Sequence, residues 1–168
     1  MKRSLSFILA LCLLLGLYGC HRQEEPIESP VTFYYRQAEV VYGDPEGLIG
    51  PCVSEGAGYE DDLPGLLNRY LQGPENPAFI NPFPGGCRVV KLTIEDRTAT
   101  VTLNGLLARY REIALSVACA CLSLTIMELT GTDVVCIQTN TALLDGADSI
   151  TMTKESILLS GLVDEDTK

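Results

Sequence analysis

A chain with one histidine has few routes to acid–base or nucleophilic chemistry. That histidine, His21, stands near the start of the sequence and is separated from every serine and cysteine of the later chain. A Ser-His-Asp or Cys-His arrangement therefore has no base to work with. Ser54, Ser116, Ser123 and Ser156 lack a nucleophile-elbow motif. With no histidine in the domain a metal would need an all-cysteine or carboxylate cage, and without a Cys-x-x-Cys pair no metal or cofactor is expected. Glu60-Asp61-Asp62 could be read as a carboxylate cluster for a cation or for glycosidic chemistry. Adjacent acids just before a helical pattern serve more simply as charges at a helix N-terminus.

Five cysteines (Cys52, Cys87, Cys119, Cys121 and Cys136) remain once Cys12 and Cys20, near the start of the chain, are set aside. An odd count is a poor disulfide framework, so they read as small buried hydrophobes with at most two bridges among them. The segment Gly43–Gly58 holds five glycines and two prolines and invites a phosphate-loop reading. Its spacing matches neither nucleotide fingerprint, no lysine follows, and Asp44, Glu46 and Glu55 would repel phosphate. It is expected to be a surface excursion.

One cysteine does carry chemistry. Lys2 and Arg3 open the chain, Phe7–Leu17 is an apolar run too short to span a bilayer, and Leu17-Tyr18-Gly19-Cys20 follows. This resembles a lipobox, the signal by which a bacterial lipoprotein is cleaved and acylated. Residues 1–19 are then a signal peptide, Cys20 becomes the lipidated first residue, and residues 20–30 form a polar tether. The domain proper is expected over 31–163, with an acidic tail over 164–168. The net charge of -10 becomes -12 once Lys2 and Arg3 leave with the leader. Such a surface repels phosphate backbones, so nucleic acid is excluded as a partner.

The elements follow from periodicity. Val90, Leu92 and Ile94 alternate with Lys91, Thr93 and Glu95; Ala99, Val101 and Leu103 alternate with Thr98, Thr100 and Thr102. Two strands with one apolar face each are expected. A connection centred on Asp96-Arg97 pairs Ile94 with Ala99, Leu92 with Val101 and Val90 with Leu103, although no glycine eases the turn. Leu92 and Val101 should lie beneath a long helix running from about Ala108 to Leu129 and capped by Gly131. Ile113–Met127 is free of charge for fifteen residues, which implies burial on more than one side. Val31–Tyr35 reads as a strand, and Leu63, Leu66, Leu67, Tyr70 and Leu71 give a first helix that ends at Gly73-Pro74. Asp133–Gln138 and Ser149–Thr153 read as strands, Thr141–Ala147 as a loop and Ile157–Val163 as a further short strand. The order β-α-β-β-α-β, with an extra C-terminal β element, predicts an α+β fold: a small mixed sheet with two helices on one face.

These residues resemble the GerMN domain family of sporulation and spore-germination lipoproteins. The carriers are Val31-Thr32-Phe33-Tyr34-Tyr35, then Leu66-Leu67-Asn68-Arg69-Tyr70-Leu71-Gln72-Gly73-Pro74, then Pro84-Gly85-Gly86 with the strands from Val89 to Leu103. The long helix and Asp133-Val134-Val135-Cys136-Ile137 complete the likeness, over about residues 31–140. Where the family often has an acidic residue and a serine, this chain has Leu103-Asn104-Gly105. The resemblance implies a non-enzymatic, lipid-anchored module at the outer face of a cell membrane, similar to the ring-building modules of secretion and sporulation complexes. It brings no catalytic residues.

Three functions compete. One is an interaction or assembly module that binds a protein partner or itself through Thr93, Thr98, Thr100 and Thr102. Another is a small extracytoplasmic protein that binds a ligand or envelope component in a pocket beneath the Gly-rich segment. The third, a hydrolase, needs perturbed carboxylates in a cleft. The anchor is tested directly: Cys20→Ala should leave the chain unprocessed or released to the medium, and labelled fatty acid should enter only the unaltered protein. No label in the unaltered protein removes the lipoprotein reading.

Overall fold

The computed structural model describes residues 27, 29–40, 47–104, 112–139 and 149–157. The leader with Cys20, most of the tether, the Thr141–Ala147 loop, the expected last strand beyond Ile157 and the acidic tail lie outside them.

The chain runs β1 (Pro30–Gln37), β2 (Ile49–Glu55), α1 (Leu63–Gln72), β3 (Phe79–Ile80), β4 (Arg88–Glu95), β5 (Thr98–Asn104), α2 (Glu112–Thr130), β6 (Val134–Thr139) and β7 (Ser149–Thr153). A 3-10 turn over Lys154–Ser156 follows. The fold is α+β, as expected, but the strands divide into two sheets instead of one. β2-β1-β3 form a three-stranded antiparallel sheet; β4-β5-β6-β7 form a mixed four-stranded sheet. β5 and β6 are parallel and joined by α2, whereas the outer pairs are antiparallel.

The Gly-rich segment is the first correction, because its second half is β2 and not a surface excursion. Gly50 and Pro51 read as breakers in the sequence, yet both suit an edge strand. A Cβ on Gly50 would stand 3.2 Å from Gln37 Nε2 and from the Phe79 ring, so glycine lets β3 and the end of β1 close in. Pro51 lies opposite Tyr34. Tyr34 turns its own N–H and C=O away from β2, so Pro51 turns its missing N–H toward the open edge.

β1 does not join the hairpin's sheet: β3 pairs with its second edge only at Arg36 and Gln37, and beside Tyr34 that edge is taken by helices. The Thr125 hydroxyl of α2 accepts the Tyr34 N–H at 2.9 Å, and the Tyr70 hydroxyl of α1 donates to the Tyr34 carbonyl at 2.9 Å. The Tyr35 hydroxyl in turn donates to the Tyr70 carbonyl at 2.7 Å. Phe33, Tyr35, Tyr70 and Phe83 pack as one aromatic cluster, with Tyr35 and Tyr70 ring centres 4.8 Å apart.

α1 begins on Asp62, whose carboxylate accepts the Gly65 N–H at 2.9 Å, so an acid of the Glu60-Asp61-Asp62 run does cap a helix. Gly131 takes a φ of 68° after α2 and donates to the Met127 carbonyl, as a C-terminal cap should. From Ala118 to Met127 every residue of α2 is buried. One side meets the main core with Val101, Val135 and Ile137. The other forms a second cluster in which Ala120, Cys121 and Leu124 join Ile49, Tyr34 and Ile157. Ile113–Thr130 is long and apolar enough to cross a membrane by length and composition, but 61% of it is buried in the fold.

The hairpin keeps two of its three expected pairs, Ile94–Ala99 and Leu92–Val101. A bulge then places Val89, not Val90, opposite Leu103, and Val90 is left 64% exposed. The bulge is held from α1, where Asn68 Oδ1 accepts the Val89 N–H at 2.9 Å. The turn works without glycine because Asp96 takes the positive φ of 52°, which a short polar side chain tolerates. Val101 is fully buried; Leu92 is only half-buried, on a strand whose helix contacts are chiefly with α1.

The tie between β1 and the helices sets a stability prediction. Thr125→Val keeps the side-chain shape but leaves the Tyr34 N–H without its acceptor. Tyr70→Phe does the same to the Tyr34 carbonyl. Each should cost about 1–3 kcal/mol in urea unfolding, the penalty of one orphaned buried polar group. Unchanged midpoints would mean that Tyr34 finds other partners.

Candidate functional surface

The four threonines singled out in the sequence share one face of the four-stranded sheet. Direct pairing carries that face across all four strands in three rows. Lys91, Thr102, Gln138 and Ser149 form one; Thr93, Thr100, Cys136 and Thr151 the next; Glu95, Thr98, Val134 and Thr153 the third. The alternate residues Ala99, Val101, Leu103, Val135 and Ile137 point the other way and are buried against the helices. None of the residues in the three rows belongs to either core cluster. Thr93, Thr98, Thr100 and Thr102 are half-buried by their row neighbours, while Gln138, Ser149 and Thr151 are exposed.

This face is polar but almost uncharged. Its only charged side chains are Lys91 and Glu95, both on β4 at one margin. In a chain of net charge -10 it is a patch whose own charges balance. Thr102 and Gln138 make a weak cross-strand contact at 3.5 Å. The residues on β7 were not recognised as part of the surface from the sequence, although Ser149-Ile150-Thr151-Met152-Thr153 alternates as cleanly as the hairpin does.

At the base of the sheet Arg97 and Asp133 form an ion pair between the hairpin turn and the start of β6. The Arg97 side chain holds the Asp133 carboxyl below the usual carboxylate range. The Arg97 carbonyl also accepts the N–H groups of Asp133 and Val134, which fixes the register at which β6 enters.

Elsewhere the chemistry is muted. Cys52, Cys87, Cys119 and Cys121 are buried free thiols and Cys136 is half-buried. Burial pushes Cys87 up to about 11 and Cys119 and Cys121 up to about 12. Among the described residues no cluster of His, Cys, Asp and Glu could hold a metal.

A cleft of 230 Å³ does open beside β2, lined by Cys52–Glu55, Arg69, Glu75 and Asn76 over Phe33 and Tyr35. Its cation is already engaged: Arg69 donates to the Glu55 carbonyl and pairs with Glu75 at 3.6 Å. The Tyr35 hydroxyl is spent on Tyr70. The polar groups therefore point to their own chain and do not converge on a ligand.

A family model described as Germane, sporulation and spore germination, matches residues 33–145. Two solved structures share the fold. The first GerMN domain of the sporulation protein GerM from Bacillus subtilis is 15% identical, with a TM-score of 0.55 over 74% of this chain and 98% of that one. The tandem GerMN domains of the same protein are 17% identical, with a TM-score of 0.51 over 76% of this chain and 47% of that one. No curated protein gives a significant match.

The thiols supply a check on the core. At pH 8 a group with a pKa near 12 is ionised to only on the order of one part in ten thousand. In the folded protein, iodoacetamide should label Cys136 at least tenfold faster than Cys119 or Cys121, as read by peptide mapping. Equal rates would mean that α2 opens to solvent.

Proposed function

Because the chain belongs to the Germane family of sporulation and spore-germination proteins, we propose that it is a membrane-anchored extracytoplasmic lipoprotein that acts as a non-catalytic interaction module. The observation that carries this reading is the twelve-residue polar face of β4–β7, which has no place in either hydrophobic cluster. A sheet with its core on one side and a charge-balanced, threonine-rich surface on the other leaves that surface open to a partner. Threonine and β-branched neighbours also keep such a face rigid, so that docking costs little ordering entropy. Buried thiols with raised pKa values and a cleft whose charges are internally paired favour this over a hydrolase or a small-ligand carrier. Cys20, acylated at the mature N-terminus, would hold the domain on a tether of about ten residues.

The test is Thr100→Arg, at the centre of the middle row. As a surface change it should shift stability by no more than about 0.5 kcal/mol. It should weaken recovery of the partner, or self-association, at least tenfold when the tagged protein is drawn from solubilised membranes. Undiminished recovery with a well-folded variant removes this face from consideration.

A further inference from the structure

A second groove, of 520 Å³, lies between the end of α1 and the turn that leads into β4. Leu71 and Cys87, both buried, supply its apolar lining. Two asparagines hold its walls. Asn81 Nδ2 donates to the Leu71 carbonyl at 3.1 Å, and Asn68 Oδ1 accepts the Val89 N–H at 2.9 Å. The shape of the groove is therefore fixed by bonds to the backbone on both sides.

Its charge is the reverse of the chain's. The sequence carries 22 acidic residues against 12 basic ones, yet no carboxylate lines this groove, and its one charged residue is Arg88. Arg88 is exposed, and among the described residues its guanidinium has neither a hydrogen bond nor an ion pair. Arg69, in the cleft beside β2, is by contrast engaged twice. Asn68 Nδ2 and the N–H groups of Gly85 and Gly86 are also unspent among the described residues.

Gly85 adds an independent observation. It is the second residue of a turn closed by the Cys87 N–H on the Pro84 carbonyl at 3.2 Å. Gly86, the third, has a φ of 86° and suits only glycine. Gly85 has no such φ, and a Cβ there would meet nothing within 4 Å. Neither the backbone nor the packing asks for glycine at this position. What its missing side chain does is leave the neighbouring N–H groups open to a close approach.

Unspent donors around a single cation, with no acid among them, match one carboxylate. Successive backbone N–H groups in a turn form the kind of nest that captures an anion or a chain end. The volume is that of a site for a small group and not for a whole surface. We infer that this groove takes the C-terminal carboxylate of a partner polypeptide. Arg88, Asn68 and the Gly85–Gly86 backbone hold the carboxylate, and a small apolar last side chain lies over Leu71 and Cys87. This rests on the interaction-module reading and adds to it the end of the partner's chain.

The probe is N-acetylalanine, a chain end with a free carboxylate. N-acetylalanine amide lacks the charge, and N-acetylglutamic acid α-amide carries it on the side chain instead. Each is titrated to millimolar concentrations into the isotope-labelled full chain in detergent micelles, with backbone amides followed by NMR. N-acetylalanine should shift the Gly85, Gly86 and Val89 amides saturably, and both controls should bind at least tenfold more weakly. Arg88→Gln should weaken N-acetylalanine at least tenfold. Gly85→Val, whose side chain enters the open space, should do the same with an unchanged urea midpoint. The inference is overturned if N-acetylalanine shifts none of these amides, or binds no better than either control. It is equally overturned if Arg88→Gln binds it normally. Should it fall while Thr100→Arg still loses its partner, the interaction module stands and only the groove is removed.

Discussion

One peptide group decides how this chain is layered. The N–H and C=O of Tyr34 face away from β2, toward the edge where another strand would ordinarily add. A buried backbone edge must be satisfied by something. Here a threonine from one helix and a tyrosine from the other take the two bonds, and neither can do so unless α1 and α2 both lie against β1. The same contacts pin Tyr70 under the aromatic cluster, where burial drives its hydroxyl far above an ordinary phenol. The consequence is that β1 belongs to the helices as much as to its sheet.

This explains where the sequence was readable and where it was not. Period-two alternation in Arg88–Leu103 revealed both strands and the buried face of β5, because burial on one side leaves a direct mark on residue type; on β4 the same alternation misplaced Val90 and Ile94, which are exposed. The charge-free run of α2 announced a helix surrounded by protein, and it is surrounded on two sides. Asp62 and Gly131 marked helix ends through capping chemistry alone. By contrast, β2 was hidden because its glycine and proline are there for a close approach and an open edge, not for a loop. The bulge at Val90 left no pattern, since the bond that holds it joins Val89 to the carboxamide of Asn68, twenty-one residues earlier. The division into two sheets was equally invisible. It turns on side-chain hydroxyls from Thr125 and Tyr70, which look in sequence like any other polar residue on an apolar helix.

The candidate surface shows the same asymmetry. Thr93, Thr98, Thr100 and Thr102 could be placed on one face from local alternation. Their continuation through Cys136 and Thr151 needed the parallel β5–β6 register, and that register is set by the Arg97 carbonyl and by the ion pair with Asp133. A hairpin turn thus fixes the position of a strand thirty-six residues away.

α2 has a kinetic consequence. β4 and β5 are neighbours in sequence and can pair early. β6 cannot join β5 until the whole crossover has closed, and the buried run Ala118–Met127 has no partner on either side before that. An intermediate with the hairpin formed and α2 unplaced presents ten consecutive side chains meant for the interior. The nearest charge after them is Glu128. The helix that welds the two sheets together is therefore also the largest apolar surface the chain must cover as it folds.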